Sequence, residues 1–153
     1  MSRSCWFSRR ITAIASARQS RLTRLQAALG YTFRDSSLLV RALSHKSLGT
    51  ENNERPEFRG DAVRGDVVAR RLFASRPGDG EDVMTLMRAS VVKGETLAHV
   101  AQELGISEHL RLGIGEQRSG GHKRASILAD VLEAVIGAVH EDGGIIAAEQ
   151  LVL

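Results

Sequence analysis

The sequence predicts an all-α fold, on three observations. Apolar residues recur at helical spacing in one segment after another, strand signals are few, and RPGDGE, with Pro77, Gly78 and Gly80, breaks the chain between two periodic stretches. Asp35 is placed to cap a helix that carries Leu38, Leu39, Ala42 and Leu43 on one face, with His45 and Ser47 just after its end. A long helix is expected from about Glu54 to Phe73, ending before the RPGDGE break. Beyond it, Val83, Leu86, Met87, Ala89 and Val91 give way to Leu97, Val100, Ala101 and Leu104, a helical pattern that stops at Gly105; Met84 and Met87 read as core filler. LGIGEQRSGGHKR is glycine-rich and polar without a Walker pattern, and is expected to be a flexible loop. The last segment is the most apolar. Ile127, Leu128, Val131, Leu132, Val135, Ile136 and Val139 cover most of a helix circumference, as in a core helix, and leave Asp130, Glu133, Gly137 and His140 as the one non-aliphatic stripe.

A chain of 153 residues can bury one ordinary core, and no apolar run approaches the roughly 20 residues that span a membrane. Cys5 is the only cysteine, so no internal disulfide can form, and a reducing compartment is the default. Charge is uneven. Residues 1–34 hold seven arginines and no acid, so against a total of +3 the remainder carries −4. A domain of that sign must approach phosphate through local basic groups such as Lys123 and Arg124 rather than by bulk charge. The first twenty residues are arginine- and serine-rich, and are expected to be a disordered basic extension; the alternative is an organellar transit segment. Cytoplasmic location is the corresponding expectation.

Two carboxylate couples carry the chemistry. Glu57 and Asp61 are four residues apart, Asp130 and Glu133 three apart, so each couple shares one helix face within roughly 6 Å. Four converging like charges must either raise their pKa values or hold cations, and oxygen-only donors suit Mg²⁺ or Mn²⁺. Metal-assisted phosphodiester hydrolysis is the chemistry favoured by such a cluster. The plain alternatives are a solvated edge of a buried helix for the second couple and an acidic-basic surface face for the first, where Glu57, Asp61, Arg64 and Val68 lie together. The histidines are scattered and read as structural, with His122 given more weight because it lies beside Lys123 and Arg124.

NNERPEFRGDAV, followed by SGGHKRASILADVLEAVIGAVHEDGG, resembles the two signature segments of the ribonuclease III family, whose usual first segment reads NERLEFLGDSVL. RLQAALGYTFRDSSLLVRALSHKS is similar to the family's opening helices and LMRASVVKGETLAHVAQELGISEHLRLG to its middle, so the resemblance covers roughly residues 21–153. It implies an all-helical endonuclease domain that forms a homodimer and cuts double-stranded RNA with Mg²⁺, which Mn²⁺ can replace, leaving 5′-phosphate and 3′-hydroxyl ends. Carried over by position, Glu57, Asp61, Asp130 and Glu133 match the family's metal-binding acids, Asp61 and Glu133 the two most often called catalytic, and Glu54 an accessory acid near the RNA. Phe58 matches the position whose ring enters the partner subunit, a simple core aromatic being its alternative reading. His45 and Ser47 match a mostly structural pair, and the glycine-rich segment before Lys123 and Arg124 a linker placed to contact RNA.

Four departures from the family pattern fall in the signature helix, where Pro56, Arg59, Arg64 and Asp66 stand in place of leucines. Pro56 is tolerable in a first turn. Arg59 and Asp66 are expected on the core face opposite Glu57, where an unpaired charge costs several kcal/mol, unless Asp66 pairs with Arg70 and Arg59 reaches the surface. Arg64, beside Asp61, is expected to compete with metal. The sequence ends at EQLVL, within what would be the last helix of the domain, and lacks the RNA-binding domain that usually follows, which predicts weaker and more salt-sensitive binding to duplex. Two functions therefore stand: an active endoribonuclease, supported by retention of all four acids, or a catalytically impaired relative that binds RNA or a partner, supported by the departures.

Overall fold

The computed structural model describes residues 16–17 and 19–153. Most of the expected basic extension therefore lies outside the described residues. Its last members are helical and lead into α1, described without a gap over 19–29. Then come α2 (Ser36–Ala42), α3 (Glu54–Ser75), α4 (Glu81–Val91), α5 (Gly94–Glu103), α6 (Ile114–Arg118) and α7 (Ala125–Val152), with short 3-10 turns between some of them. Among the described residues the only β feature is an isolated parallel bridge between Ser44 and Arg111, so the fold is all-α. No described helix is long and apolar enough to cross a membrane.

The core is built around α7. Leu128, Val131, Val135 and Val139 are almost wholly buried on it, with Leu25 of α1, Leu39 of α2, Val67 of α3 and Ala101 of α5 packed around them. Burial of each large aliphatic side chain is worth about 1.5–3 kcal/mol, enough to fix which stripe of α7 faces outward. The most extensive helix pair is α3 against α7. Its closest point is a meeting of two glycines: a Cβ on Gly60 would overlap the Glu133 carbonyl, and one on Gly137 would overlap the Pro56 carbonyl. Near its end α7 turns at Gly144, whose φ of 79° is left-handed, a conformation that glycine adopts at little cost.

Asp35 caps α2 as expected, accepting from the Ser37 amide at 2.9 Å, and α3 matches the expected span to within two residues at its end. Pro56 lies in the first turn of α3, where the missing N–H costs nothing. Other expectations are corrected. The buried face of α3 is Pro56, Gly60, Val63, Arg64, Val67 and Val68, so Arg59 and Asp66 are not core residues. Their side chains are about half exposed; Arg59 pairs with Glu141 at 3.6 Å and Asp66 with Arg70 at 3.0 Å. Leucines there would add exposed apolar surface rather than fill a void. Met84 and Met87 are not core filler either, because α4 contributes no buried residue. LGIGEQRSGGHKR contains α6 and a 3-10 turn at Gly121–Lys123, anchored where the Gly113 amide donates to Ser47 Oγ at 2.8 Å.

A polar clasp fastens the α1–α2 connection to α7. The Asp142 carboxylate accepts from Tyr31 Oη at 2.7 Å, the Arg34 amide at 2.8 Å and the Asp35 amide at 3.0 Å, while the Arg34 guanidinium donates to the Asp142 carbonyl. Burial alone would raise the Asp142 pKa, but these bonds to the ionised form outweigh it and hold it below the ordinary value.

Two predictions follow from these contacts. Gly60→Ala should lower the melting temperature by the equivalent of about 1–3 kcal/mol, because its methyl must part α3 from α7. Gly65→Ala, on the same helix with open space around its Cβ, should be neutral or stabilising by up to about 1 kcal/mol; equal melting of the two variants would refute the close crossing. Asp142→Ala should cost about 1–3 kcal/mol near neutral pH by stranding its donors. A depressed native pKa contributes stability above the ordinary carboxylate range that is lost as pH falls through the native value. Thermal melts across acid pH should therefore show the native chain and Asp142→Ala converging.

Candidate functional site

The crossing of α3 and α7 places the two acidic couples opposite each other. Glu57 and Asp61 lie one turn apart on α3, on either side of buried Gly60, and Asp130 and Glu133 lie one turn apart on the outward stripe of α7. Because the Glu133 carbonyl is itself what Gly60 packs against, this backbone contact carries the Glu133 side chain to the α3 acids. All four line one cavity of about 390 Å³, with His45, Lys46, Asn53, Glu54 and Phe58 completing it. The expected couples thus form a single site.

Its electrostatics are those of crowded carboxylates. Burial pushes the Glu57 carboxyl up to about 7, and the charges of Asp130 and Glu133 add to the rise while Lys46 opposes it. Asp130 is also raised by burial, against the pull of Lys46 and His45. Glu133 is raised by burial, opposed by Arg64 and reinforced by Asp61 and Asp130. Relief comes from cations of the chain itself. Lys46 Nζ lies 3.8 Å from Glu54, and Arg64 Nη2 bridges Asp61 at 2.6 Å and Glu133 at 2.8 Å.

The donor chemistry suits a hard divalent cation, since it is all carboxylate oxygen, and burial together with the charges of Asp130 and Glu133 pushes Glu57 up to about 7. Among the described residues, no group of three or more His, Cys, Asp or Glu is gathered round one ion position.

Of the remaining expected site residues, Glu54 lies on the cavity rim. Lys123 and Arg124 do not line the cavity. Lys123 ends the 3-10 turn before α7 and Arg124 is the N-cap of that helix, with Lys123 exposed and Arg124 paired to Glu116 at 2.7 Å. Phe58 is 83% exposed, which rules out the core-aromatic reading. It borders a second cavity of about 830 Å³ that also touches Leu38, Pro56, Ala138 and Glu141. His45 is held in place by Ser47, whose hydroxyl lies 2.9 Å from Nδ1.

Sequence reasoning missed Lys46 and Asn53. Asn53 is buried, ties its amide to the Ser44 carbonyl at 2.8 Å, and leaves Nδ2 without a partner. The signal available was adjacency: both flank motif residues already singled out, Lys46 next to His45 and Asn53 next to Glu54.

Comparison with known proteins points to one family. The family model described as Ribonuclease-III-like matches residues 35–153. The chain is 51% identical over 131 residues to Ribonuclease 3 of Pseudomonas fluorescens (strain SBW25) and 48% identical over 132 residues to Ribonuclease 3 of Coxiella burnetii (strain Dugway 5J108-111); each match covers 86% of this chain. The chain spans 57% of the length of either relative. A solved nuclease domain of ribonuclease III from Campylobacter jejuni, described for flexibility in a region involved in dimer formation, superposes with a TM-score of 0.82 at 39% identity, covering 84% of this chain and 90% of that one. A second structure of that domain gives 0.79 at 37% identity, with coverage of 84% and 88%.

The raised Glu57 pKa has a direct readout. Its side-chain carbon signal should titrate near 7 in metal-free protein, and Asp130→Asn should bring the midpoint down without restoring the ordinary value, because burial is the larger cause. A folded state that holds a proton more tightly than the unfolded chain loses stability as pH rises from the ordinary glutamate range through about 7. An unchanged Glu57 midpoint in Asp130→Asn would mean that the two couples do not face one another.

Proposed function

The chain belongs to the ribonuclease III family, and from that premise we propose that it is an endoribonuclease cleaving double-stranded RNA by Mg²⁺-dependent phosphodiester hydrolysis, with Mn²⁺ able to substitute. The observation that carries the reading is the convergence of Glu57, Asp61, Asp130 and Glu133 from two helices on one cavity. Those four residues would hold the metal. Bound there, it supplies Lewis acidity and charge neutralisation toward a phosphodiester, which four carboxylates alone would repel.

The chain's own residues position the substrate and handle protons. Lys46 and His45 on the cavity rim meet the approaching phosphate. Glu57, whose carboxyl burial pushes up to about 7 in the metal-free chain, would give up its proton on taking part in holding the cation. Asp61 and Glu133 are joined across the crossing through one guanidinium nitrogen, and are assigned the catalytic role. Lys123 and Arg124 at the head of α7 contact the RNA backbone outside the cavity, and Glu54 on the rim is an accessory acid near the RNA. Hydrolysis adds water across the bond from phosphorus to the 3′-oxygen, giving a 5′-phosphate and a 3′-hydroxyl.

A duplex presents two antiparallel backbones, so two sites related by a two-fold axis suit one cut in each strand. The proposed assembly is accordingly a homodimer with Phe58 in its interface, a place consistent with an aromatic ring that is 83% exposed. Cytoplasmic RNA processing is the setting that goes with this activity.

Cleavage of duplex RNA with Mg²⁺ and its loss in EDTA test the reading. Asp61→Asn and Glu133→Gln should each reduce the rate by about a hundredfold or more, the equivalent of several kcal/mol of transition-state stabilisation, with helical content and oligomeric state unchanged. Mg²⁺-dependent cutting at the native rate in either variant would overturn the assignment.

A further inference from the structure

Arg64 is a buried charged residue, at 6% exposure. Its polar contacts join the acidic site to the turn between α4 and α5. Nη2 donates to Asp61 Oδ1 at 2.6 Å and lies 2.8 Å from Glu133 Oε1, Nη1 donates to the Val92 carbonyl at 2.9 Å, and Nε is buried with no partner. One guanidinium thus fastens α3, α7 and the turn between α4 and α5 to a single point.

We propose that Arg64 is a resident cation, standing in for a divalent ion in the metal-free chain by bridging Asp61 and Glu133, so that metal can enter only by displacing it. The proposal rests on reading the four acids as a divalent-metal site. Two facts of chemistry support it. Mg²⁺ requires oxygens at about 2.0–2.1 Å in near-octahedral order, and the point on which Asp61 Oδ1 and Glu133 Oε1 converge is filled by one guanidinium nitrogen, at 2.6 and 2.8 Å, so an ion shared by those two oxygens would overlap it. A guanidinium also carries a permanent charge, so no change of working pH clears the position. The stranded Nε marks an arrangement that leaves part of the hydrogen-bonding capacity of Arg64 unused. Displacement would carry a structural signal, because the bond to Val92 breaks with it and the α4–α5 turn loses its tie to α3.

Mn²⁺ is the probe, with free ion counted by electron paramagnetic resonance in solutions of the full chain. Arg64→Leu should bind it at least about tenfold more tightly than the native chain, since entry no longer breaks charge-assisted hydrogen bonds. Without metal the variant should melt below the native chain, as Asp61 and Glu133 then repel, and saturating Mn²⁺ should raise its melting temperature more than the native one. Arg64→Gln, which keeps a donor for the Val92 carbonyl, serves if the leucine variant does not fold. In the native chain, adding Mg²⁺ should move the Arg64 Nε–H signal and the amide signals next to Val92 in nitrogen-15 spectra. Equal Mn²⁺ affinity in native and variant chains, absence of binding in both, or Mg²⁺ saturation with the Arg64 signal unmoved would overturn the proposal. Tighter Mn²⁺ binding in a variant that cuts no duplex RNA would uphold the resident cation and sink the nuclease reading. Cleavage with equal affinities would do the reverse.

Discussion

The approach of α3 to α7 at Gly60 and Gly137 is the constraint on which the site depends. Helices that meet through larger side chains stand 8–10 Å apart at their axes, whereas here neither residue leaves room for a Cβ, and the carbonyls of Pro56 and Glu133 fill the space. Only at that separation do short acids flanking the glycines reach one another. Asp61 follows Gly60, Glu57 precedes it by one turn less a residue, and Glu133 lies one turn before Gly137. The apolar stripe of α7 sets the rotation, since Val131, Val135 and Val139 are wholly buried and leave Asp130 and Glu133 facing the α3 acids.

Bringing four carboxylates together creates a charge problem, and the structure answers it in three ways. Glu57 keeps its proton to about pH 7. Lys46, held beside Glu54, lowers the pKa values of both Glu57 and Asp130. Arg64 takes Asp61 and Glu133 directly. The first is reversible near neutrality and the second sits at an exposed rim, so both yield readily to an incoming cation. The third is buried and permanent. It alone sets a lasting competition between the chain's own charge and a metal.

Much of the fold was legible because it rests on local signals: Asp35 as a cap, the span of α3, and α7 as a core helix all follow from capping chemistry and apolar spacing. The acidic couples were legible for the same reason, as spacing put each on one face. What failed was the rotation of α3. Its contact face is made of Pro56, Gly60 and Arg64 as well as valines, and small or charged residues give no hydrophobic signal, so a leucine pattern borrowed from resemblance placed Arg59 and Asp66 inward. The bond from Arg64 to Glu133 spans 69 residues of sequence, which no local rule reaches. The glycine-rich segment before α7 misled in the other direction: Gly113 and Gly121 answer close packing against Ser47 and Glu116 rather than flexibility.

The departures in α3 consequently differ in kind. Arg59 and Asp66 are half-exposed and paired with Glu141 and Arg70, and such surface pairs contribute about 1 kcal/mol or less, so they neither threaten the fold nor touch the acids. Pro56 is absorbed by the first turn and even lends its carbonyl to the glycine crossing. Arg64 is different because it is buried, and removing one partner of a buried pair strands the other at a cost of about 3–5 kcal/mol. A leucine in its place would leave Glu133, largely buried, without its cation and beside an Asp61 that stays mostly exposed to water. The metal-free fold and the metal-loaded site therefore place opposite demands on one position, and this chain meets the first of them with its own side chain.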